Sequence, residues 1–245
     1  MKQNIECAAR ALRRWALPFS FSPYLCASAV IVLIGSLLPA QVATQANEGY
    51  KTKEGRDSVA KTLTAPDREE NQKPRELVAA MSLKPGMVVA DLGTGAGFML
   101  PYLSAAVGAE GHVLSEDIFP DFLEKARATA KQSGLTNVTF IHGTETDPTL
   151  PENGVDVALA LDSYHHWNYP EKMLAALHHE LRSGGRLVIV EYYKRPDAMP
   201  NGRAVQHIRL DEDGFIKEIE ANHFRLLSQH EHVKGSQYMA IFEKD

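Results

Sequence analysis

A glycine-rich turn directly after a short apolar segment constrains the fold of this chain more than any other feature. Residues 87–92 (MVVADL) are typical of a buried strand, and Gly93, Gly95 and Gly97 follow it before a helical segment. Glycine allows tight backbone turns and lets the backbone approach a ligand closely. In an open α/β sheet, a turn of this kind lies at the carboxyl end of a strand, where ligands bind. We therefore predict an α/β sheet with a ligand site at this turn.

Apolar strands and helical segments alternate along most of the chain after this turn. Such alternation predicts a parallel sheet that is covered by helices on both faces. The last two apolar segments are close enough in sequence to pair as an antiparallel hairpin. The predicted strands are residues 87–92, 112–117, 138–142, 155–161, 186–192, 224–232 and 237–242.

Glycine spacing and one acidic residue indicate the class of ligand. A dinucleotide-binding turn has glycine at its first, third and sixth positions, but the sixth position counted from Gly93 is Phe98. Asp91 precedes the turn, and its carboxylate would repel a pyrophosphate and attract a cation. These features favour a ligand with ammonium and sulfonium groups, such as S-adenosylmethionine, over a dinucleotide.

Two acidic residues, Glu116 and Asp117, end the second predicted strand. A carboxylate at that strand end can accept hydrogen bonds from the hydroxyls of a ribose. We assign this role to Asp117, with Glu116 as the alternate. The alternative is that one of these acids only caps the following helix.

Four segments carry motifs that point to one family: residues 91–97 (DLGTGAG), 117–120 (DIFP), 154–159 (GVDVAL) and 181–187 (LRSGGRL). Together they resemble the class I S-adenosylmethionine-dependent methyltransferases, and the likeness extends over residues 72–242. The resemblance implies S-adenosylmethionine as cofactor. It also implies a three-layer α/β sandwich, in which a seven-stranded, mostly parallel sheet has an antiparallel last strand and helices on both faces.

The resemblance implies roles at individual positions as well. The glycine turn would hold the methionine part of the cofactor with Asp91 near its ammonium group, and Asp117 would bind the ribose. The loop after the third strand, residues 143–145, would flank the adenine, although the family often has Asp where Thr144 stands. The predicted cofactor-binding residues are Asp91, Gly93, Thr94, Gly95, Gly97, Glu116, Asp117, Thr144, Glu145 and Asp162.

A narrower resemblance is to a group of small bacterial methyltransferases of an exported type. It is carried by four short motifs that are spread along the chain. They are Gln72-Lys73-Pro74, Asp162-Ser163-Tyr164-His165-His166, His207-Ile208-Arg209 and Gln237-Tyr238.

Four residues are the catalytic candidates. Tyr164, His165 and His166 follow the fourth strand, so we expect them at the mouth of the cofactor site, and His207 lies in the connection after the fifth strand. Methyl transfer needs a general base only when the acceptor carries a proton, and histidine can take a proton near neutral pH. The alternatives are that one histidine of the pair packs while the other is solvated, and that His207 lies in a solvated loop.

The sequence predicts no metal site. His178 and His179 are adjacent on a helix and point in different directions, and no group of histidines and acids shows ligand spacing. Both cysteines, Cys7 and Cys26, precede the predicted domain. A disulfide or a cysteine-based zinc site within that domain is therefore excluded.

The first 46 residues have the layout of a secretory signal. Arg10, Arg13 and Arg14 precede the apolar segment 24–40, and small residues follow it. The alternative is an uncleaved membrane anchor, for which the apolar segment is slightly short. Both interpretations place the rest of the chain outside the cytoplasm, in the periplasm or at the membrane. We predict a signal peptide or anchor over 1–46, a linker or loose helix over 47–66, and a methyltransferase domain over 67–245.

Charge and fold limit the partners. The formal net charge is -5 and no basic stripe is present, so we expect no nucleic-acid substrate. The expected acceptor is a small molecule or a protein side chain, with membrane contact only through the N-terminal segment. One alternative is a non-catalytic binding protein of the same fold. Another is a nucleotide-dependent oxidoreductase, which the position of Phe98 disfavours.

Overall fold

The structure is a computed structural model that describes residues 41–245. Residues 1–40 of the predicted leader lie outside the described residues. No helix within 41–245 combines the length and the apolar character that crossing a membrane would need. The seven strands are β1 (Val88–Leu92), β2 (His112–Asp117), β3 (Val138–His142), β4 (Val155–Leu161), β5 (Leu181–Tyr192), β6 (Phe224–Val233) and β7 (Gln237–Lys244).

Eight α-helices accompany the strands within the described residues. Three short 3-10 helices, Ala46–Tyr50, Tyr164–His166 and Pro200–Gly202, lie between them. The α-helices are α1 (Lys53–Leu63), α2 (Arg68–Gln72), α3 (Pro74–Met81), α4 (Leu100–Val107), α5 (Pro120–Gln132), α6 (Pro170–Glu180), α7 (Ala204–His207) and α8 (Glu212–Glu220).

All seven strands form one sheet in the order β3-β2-β1-β4-β5-β7-β6. The pairs among β1 to β5 are parallel, whereas β7 is antiparallel to both of its neighbours, β5 and β6. The predicted sheet and its closing antiparallel hairpin are therefore confirmed. Strand order reverses at β1 and β4, and in open α/β sheets ligands bind at such a point.

Helices cover both faces of the sheet, as predicted. The central strands β1 and β4 are buried nearly throughout because their alternate side chains pack on opposite faces of the sheet, whereas most residues of the edge strand β6 are exposed. On β1, Val89 packs in the core that α3, α4 and α5 complete, with Leu77 and Leu103 fully buried there. Ala90 packs in the opposite core, which α6 and α8 complete through residues such as Leu174 and Phe215.

Most strand boundaries lie within two residues of those predicted, and the largest difference is at β5. Helix α4 begins at Leu100, after the turn, because the three glycines of the turn have positive φ and so cannot be part of a right-handed helix. Strand β5 begins at Leu181 rather than at Arg186. Its first residue pairs with Val155 before a register shift interrupts the ladder.

The segment 47–66, predicted as a linker or loose helix, contains the ordered helix α1. Thr52 caps this helix by accepting a hydrogen bond from the Gly55 N–H at 3.1 Å. Arg56 Nε lies 2.8 Å from Asp121 Oδ2 on α5, and the Tyr50 ring stacks on Phe119 with the ring centroids 5.9 Å apart. Helix α1 is polar and buries little of its surface. Its sequence therefore shows only a weak apolar pattern, which is why the sequence predicted no more than a linker or loose helix here.

Candidate functional site

A cavity of about 700 Å³ lies at the carboxyl ends of the central strands. Its walls come from the turns after β1, β2 and β4 and from the segment 41–68 that crosses above them. The predicted site residues that line it are Asp91, Gly93, Thr94, Gly95, Glu116, Asp117, Thr144, Glu145, Asp162, His165, His166 and His207.

Two buried carboxylates stand at the ends of β1 and β2. Asp91 Oδ2 accepts a hydrogen bond from the Thr94 hydroxyl at 2.7 Å, and Asp117 accepts from the backbone N–H groups of Gly95 and Phe119, each at 2.9 Å. Burial raises the pKa of each carboxyl to about 6, although these donors oppose the rise. The cavity therefore concentrates negative charge near neutral pH.

The buried side chain of Glu116 contacts the backbone of the glycine turn. Its Oε2 accepts from the Gly93 N–H at 3.2 Å, while its buried Oε1 has no hydrogen-bond partner among residues 41–245. Burial, followed by the nearby Asp117, raises the pKa of Glu116 well above its usual value. A Cβ at Gly143 would lie 1.9 Å from Glu116 Oε1, so a side chain at 143 would displace this carboxyl.

Gly93 and Gly97 of the turn have different structural roles. Gly93 has φ +69, and a Cβ there would lie 2.9 Å from Ser163 Cβ, so close approach to the loop after β4 requires glycine. Gly97, predicted to bind the cofactor, instead packs against α5. A Cβ at Gly97 would lie 3.0 Å from Ala126 Cα, so this glycine serves helix packing.

Asp162 joins three distant parts of the chain beneath the cavity. Its Oδ2 accepts from Gln72 Nε2 at 2.9 Å and its Oδ1 accepts from Gln237 Nε2 at 2.7 Å. The residue has φ +53, a left-handed conformation that is uncommon outside glycine. Burial raises its pKa to about 7. Motifs that are scattered in the sequence therefore meet at this one carboxylate.

The loop after β3, which we predicted to flank the adenine, forms another side of the cavity. Thr144 Oγ1 donates to the Asp147 carbonyl at 3.0 Å. Glu145 accepts hydrogen bonds from Asn168 Nδ2 at 3.1 Å and from Gln41 Nε2 at 3.3 Å. Both predicted residues line the cavity, and Glu145 also fastens the crossing segment.

Three histidines form the opposite wall of the cavity. His165 is buried and its Nδ1 donates to the carboxylate of Glu191, at 2.7 Å from Oε2 and 2.9 Å from Oε1. His165 Nε2 lies 3.2 Å from His207 Nε2. His166 completes the group, in which one ring nitrogen of each residue lies within 4.8 Å of the others.

Residues of the crossing segment hold His166 in place. Asn47 Oδ1 lies 2.8 Å from His166 Nδ1, and the ring centroid of Tyr50 lies 4.7 Å from that of His166. Burial lowers the pKa of His166 well below its usual value and lowers that of His207 to about 4. Both imidazoles are therefore neutral at physiological pH.

Tyr164 does not lie where we predicted. It is fully buried, donates from its hydroxyl to Glu218 Oε1 at 2.7 Å, and packs edge-on against Phe215 with the ring centroids 5.1 Å apart. Arg209 pairs with the same glutamate. The short helix after β4 turns this side chain into the core and its two neighbours towards the cavity, so Tyr164 is corrected to a structural residue.

The expectation that no histidines or acids cluster at ligand spacing is also corrected. His165, His166 and His207 come together although 207 is remote in sequence from the pair. Asn47, Tyr50 and Glu191 also belong to this site and were not among the predicted site residues. Only Glu191 carried a local signal, because it is an acidic residue in an otherwise apolar strand and would need a buried partner.

Comparison with known proteins identifies the family. Residues 83–245 match a family model described as a methyltransferase domain. The chain belongs to this methyltransferase family. A crystal structure of an S-adenosylmethionine-dependent methyltransferase from Aquifex aeolicus is similar, with 30% identity and a TM-score of 0.71 over 77% of this chain and 98% of that one.

Curated methyltransferases are similar over shorter lengths. A ubiquinone/menaquinone biosynthesis C-methyltransferase of Vibrio cholerae is 28% identical over 66% of this chain and 66% of its own length. A protein-L-isoaspartate O-methyltransferase of Ignicoccus hospitalis is 32% identical over 46% of this chain and 51% of its own. The chain thus spans less than two thirds of the length of these two relatives.

The cavity fits the cofactor of this methyltransferase family. S-adenosylmethionine carries a sulfonium and an ammonium group, and Asp91, Asp117 and Glu116 present buried carboxylates along the same wall. An unpaired buried carboxylate oxygen is costly, so a cation or a hydroxyl donor in the cavity would relieve that cost. The predicted class I fold, the enzyme class and the S-adenosylmethionine cofactor are confirmed at the level of the family.

Proposed function

We propose that this chain transfers a methyl group from S-adenosylmethionine to a small molecule or a protein side chain that binds against the three histidines. One observation carries the proposal: a single cavity has a carboxylate wall suited to the cofactor and a histidine wall suited to an acceptor. Asp162 and Ser163 connect the two walls in sequence. A shared cavity is what direct transfer requires, because donor and acceptor must be in contact.

The carboxylate wall positions the cofactor. Asp117 is held by two backbone donors at the end of β2 and would accept the ribose hydroxyls, while Asp91 would attract the ammonium group. Thr144 and Glu145 would flank the adenine. When bound, S-adenosylmethionine supplies an electrophilic methyl group on its sulfonium sulfur.

The histidine wall binds and orients the acceptor. The acceptor lone pair would form the new bond to the methyl carbon, and sulfur would keep the electron pair of the carbon–sulfur bond that breaks. A protonated acceptor must also release its proton. One relative is named for ubiquinone/menaquinone biosynthesis and another for protein L-isoaspartate, which supports either class of acceptor.

Calorimetric titration of S-adenosylmethionine into the full-length chain tests the cofactor site. We expect micromolar binding that Asp117→Ala weakens by at least about tenfold, since a hydrogen-bonded carboxylate contributes about 1.5–3 kcal/mol. Asp213→Ala, which removes an exposed acid from α8, is the matched control and should bind like the parent. A folded chain that does not bind S-adenosylmethionine would exclude methyl transfer.

An acceptor screen follows by mass spectrometry, with a mass gain of one methyl group as the readout. We expect His207→Ala to slow transfer with little change in cofactor affinity, because this residue lies on the acceptor wall. Binding of S-adenosylmethionine without transfer to any acceptor would favour the alternative of a non-catalytic binding protein.

We also propose that the chain is of the exported type and acts outside the cytoplasm. The arginine-led apolar leader supports this, as do the four motifs of the narrower group. Ala43 and Ala46 are buried against the domain, which favours cleavage after Ala40 over cleavage after Ala46. Fractionation followed by N-terminal sequencing tests both points: a periplasmic product that begins at Gln41 is expected, and a cytoplasmic product that retains Met1 would contradict the proposal.

A further inference from the structure

The three histidines of the cavity wall have the geometry of a metal site. His165 Nε2 and His207 Nε2 lie 3.2 Å apart. Two imidazole nitrogens that bind one tetrahedral zinc ion at about 2.0–2.1 Å are separated by about 3.3 Å. His166 brings a third ring nitrogen within 4.8 Å of both. The closest pair therefore has the separation that one ion requires, and His166 brings a third candidate ligand beside it.

Hydrogen bonds orient His165 as a ligand. Glu191 is fully buried and accepts from His165 Nδ1 through both of its oxygens, at 2.7 and 2.9 Å. It also accepts from the His165 backbone N–H at 3.0 Å, so the carboxylate is fixed in place. With its proton on Nδ1, the imidazole has its lone pair on Nε2, which is the atom that faces His207. A carboxylate behind a metal-binding histidine is the usual outer-shell arrangement.

The tautomer of His166 is fixed in the same way. Asn47 Nδ2 donates to the His166 carbonyl at 2.8 Å and to Asn168 Oδ1 at 3.3 Å. These two acceptors determine which end of the Asn47 amide is oxygen. Asn47 Oδ1 must then accept from His166 Nδ1 at 2.8 Å, which leaves the Nε2 lone pair of His166 free for an ion.

We propose that His165, His166 and His207 bind a divalent cation of the zinc class through their Nε2 atoms, with Glu191 and Asn47 as positioning residues. Three imidazole ligands leave a fourth position, and all three histidines line the cavity, so that position opens towards it. The fourth ligand would be the acceptor, bound through an oxygen or a sulfur atom. The ion would lower the pKa of that atom, whose proton passes to water before transfer. This acceptor role rests on the proposed function, whereas metal binding does not.

Zinc titration tests the site directly. The full-length chain is treated with a chelator and titrated with Zn²⁺ by calorimetry, without S-adenosylmethionine. We expect one ion per chain, about 10–100-fold weaker binding in Glu191→Gln through loss of the carboxylate charge behind His165, and a larger loss in His207→Ala. His230→Ala, which removes an exposed histidine on β6, is the matched control and should bind like the parent.

Cobalt provides a second readout that stability does not affect. Bound Co²⁺ in a site with three nitrogen ligands should give visible absorption bands in the parent chain and in His230→Ala. His207→Ala should lose them while its circular dichroism spectrum stays unchanged.

A folded parent chain that takes up no Zn²⁺, or a His207→Ala variant that binds as tightly as the parent, would overturn the inference. The 3.2 Å contact would then be a simple hydrogen bond in which His207 Nε2–H donates to His165. Cofactor binding separates this failure from that of the proposed function. Uptake of S-adenosylmethionine without zinc overturns only the metal site, and uptake of zinc without S-adenosylmethionine overturns only methyl transfer.

Discussion

At the scale of single residues, the two buried aspartates link cofactor binding to pH. Asp91 and Asp117 have pKa values raised to about 6 by burial, and only their ionised forms attract a cation or accept hydrogen bonds from two hydroxyl groups through both oxygens. We expect affinity for S-adenosylmethionine to fall at least about tenfold between about pH 7 and about pH 5. Calorimetry across that range checks this. Affinity that is constant with pH in the parent chain would contradict it. In Asp117→Asn, which cannot ionise at this position, the affinity should change less with pH than in the parent chain.

Gly93 offers a second prediction at this scale. Gly93→Ala combines a positive φ with a contact to Ser163, so we expect it to cost about 1–3 kcal/mol of stability and to weaken cofactor binding. Gly86→Ala is the matched control: its φ is +86, and a Cβ there would meet nothing within 4 Å among residues 41–245. Thermal denaturation should show a loss for both variants, and only Gly93→Ala should alter the titration. If both variants weakened cofactor binding equally, the contact between Gly93 and Ser163 would not be the reason that binding requires glycine at position 93.

At the residue scale, the sequence correctly placed side chains at strand ends but not those of the short helix after β4. Asp117 and Thr144 follow strands whose ends meet at one edge of a parallel sheet, so their placement on the cavity follows from local pattern. Tyr164 and His165 are adjacent in sequence, yet one enters the core and the other lines the cavity. The side to which each turns depends on the φ and ψ angles of a short 3-10 helix, which residue types do not specify.

At the scale of elements, helix α1 acts as a cover for the cofactor wall. Leu63 at its end lies above the glycine turn, since a Cβ at Gly95 would approach Leu63 Cδ1 to 2.7 Å. The ion pair between Arg56 and Asp121 ties this helix to α5, and both side chains are about one-fifth exposed. Polar contacts thus hold helix α1 against the domain, because its apolar burial is small.

Breaking that ion pair should loosen the cover without unfolding the domain. For Arg56→Ala we expect S-adenosylmethionine affinity to fall about fivefold, corresponding to about 1 kcal/mol, with little change in melting temperature. Faster proteolysis within residues 47–66 should accompany it. Lys53→Ala removes an exposed ion pair of the same helix and is the control. An Arg56→Ala chain with unchanged affinity would show that α1 does not help to retain the cofactor.

At the scale of the whole molecule, the site unites the two halves of the sheet. Asp162 at the end of β4 holds Gln72 from the N-terminal helices and Gln237 from β7, so the cofactor cavity rests on contacts between distant segments. We expect the domain to unfold as one cooperative unit and to be stabilised as a whole by ligand.

S-adenosylmethionine at about 100 times its dissociation constant should raise the free energy of unfolding by about 2.7 kcal/mol. Thermal denaturation followed by far-ultraviolet circular dichroism and by tryptophan fluorescence should report the same shift. Asp117→Ala should lose about half of it or more at the same ligand concentration, because its affinity is at least about tenfold weaker. Two separate transitions, of which only one responds to ligand, would contradict a single cooperative unit.

The sequence by itself determined the sheet, the glycine turn and the acids at its strand ends. These features follow from side-chain periodicity and from the backbone freedom of glycine, both of which act within a few residues. Only the tertiary structure decided that His207 meets His165, that Asn47 orients His166, and that a polar helix covers the cavity. Those contacts join segments remote in sequence. They depend on how the whole chain packs, and no local pattern of residue types records that packing.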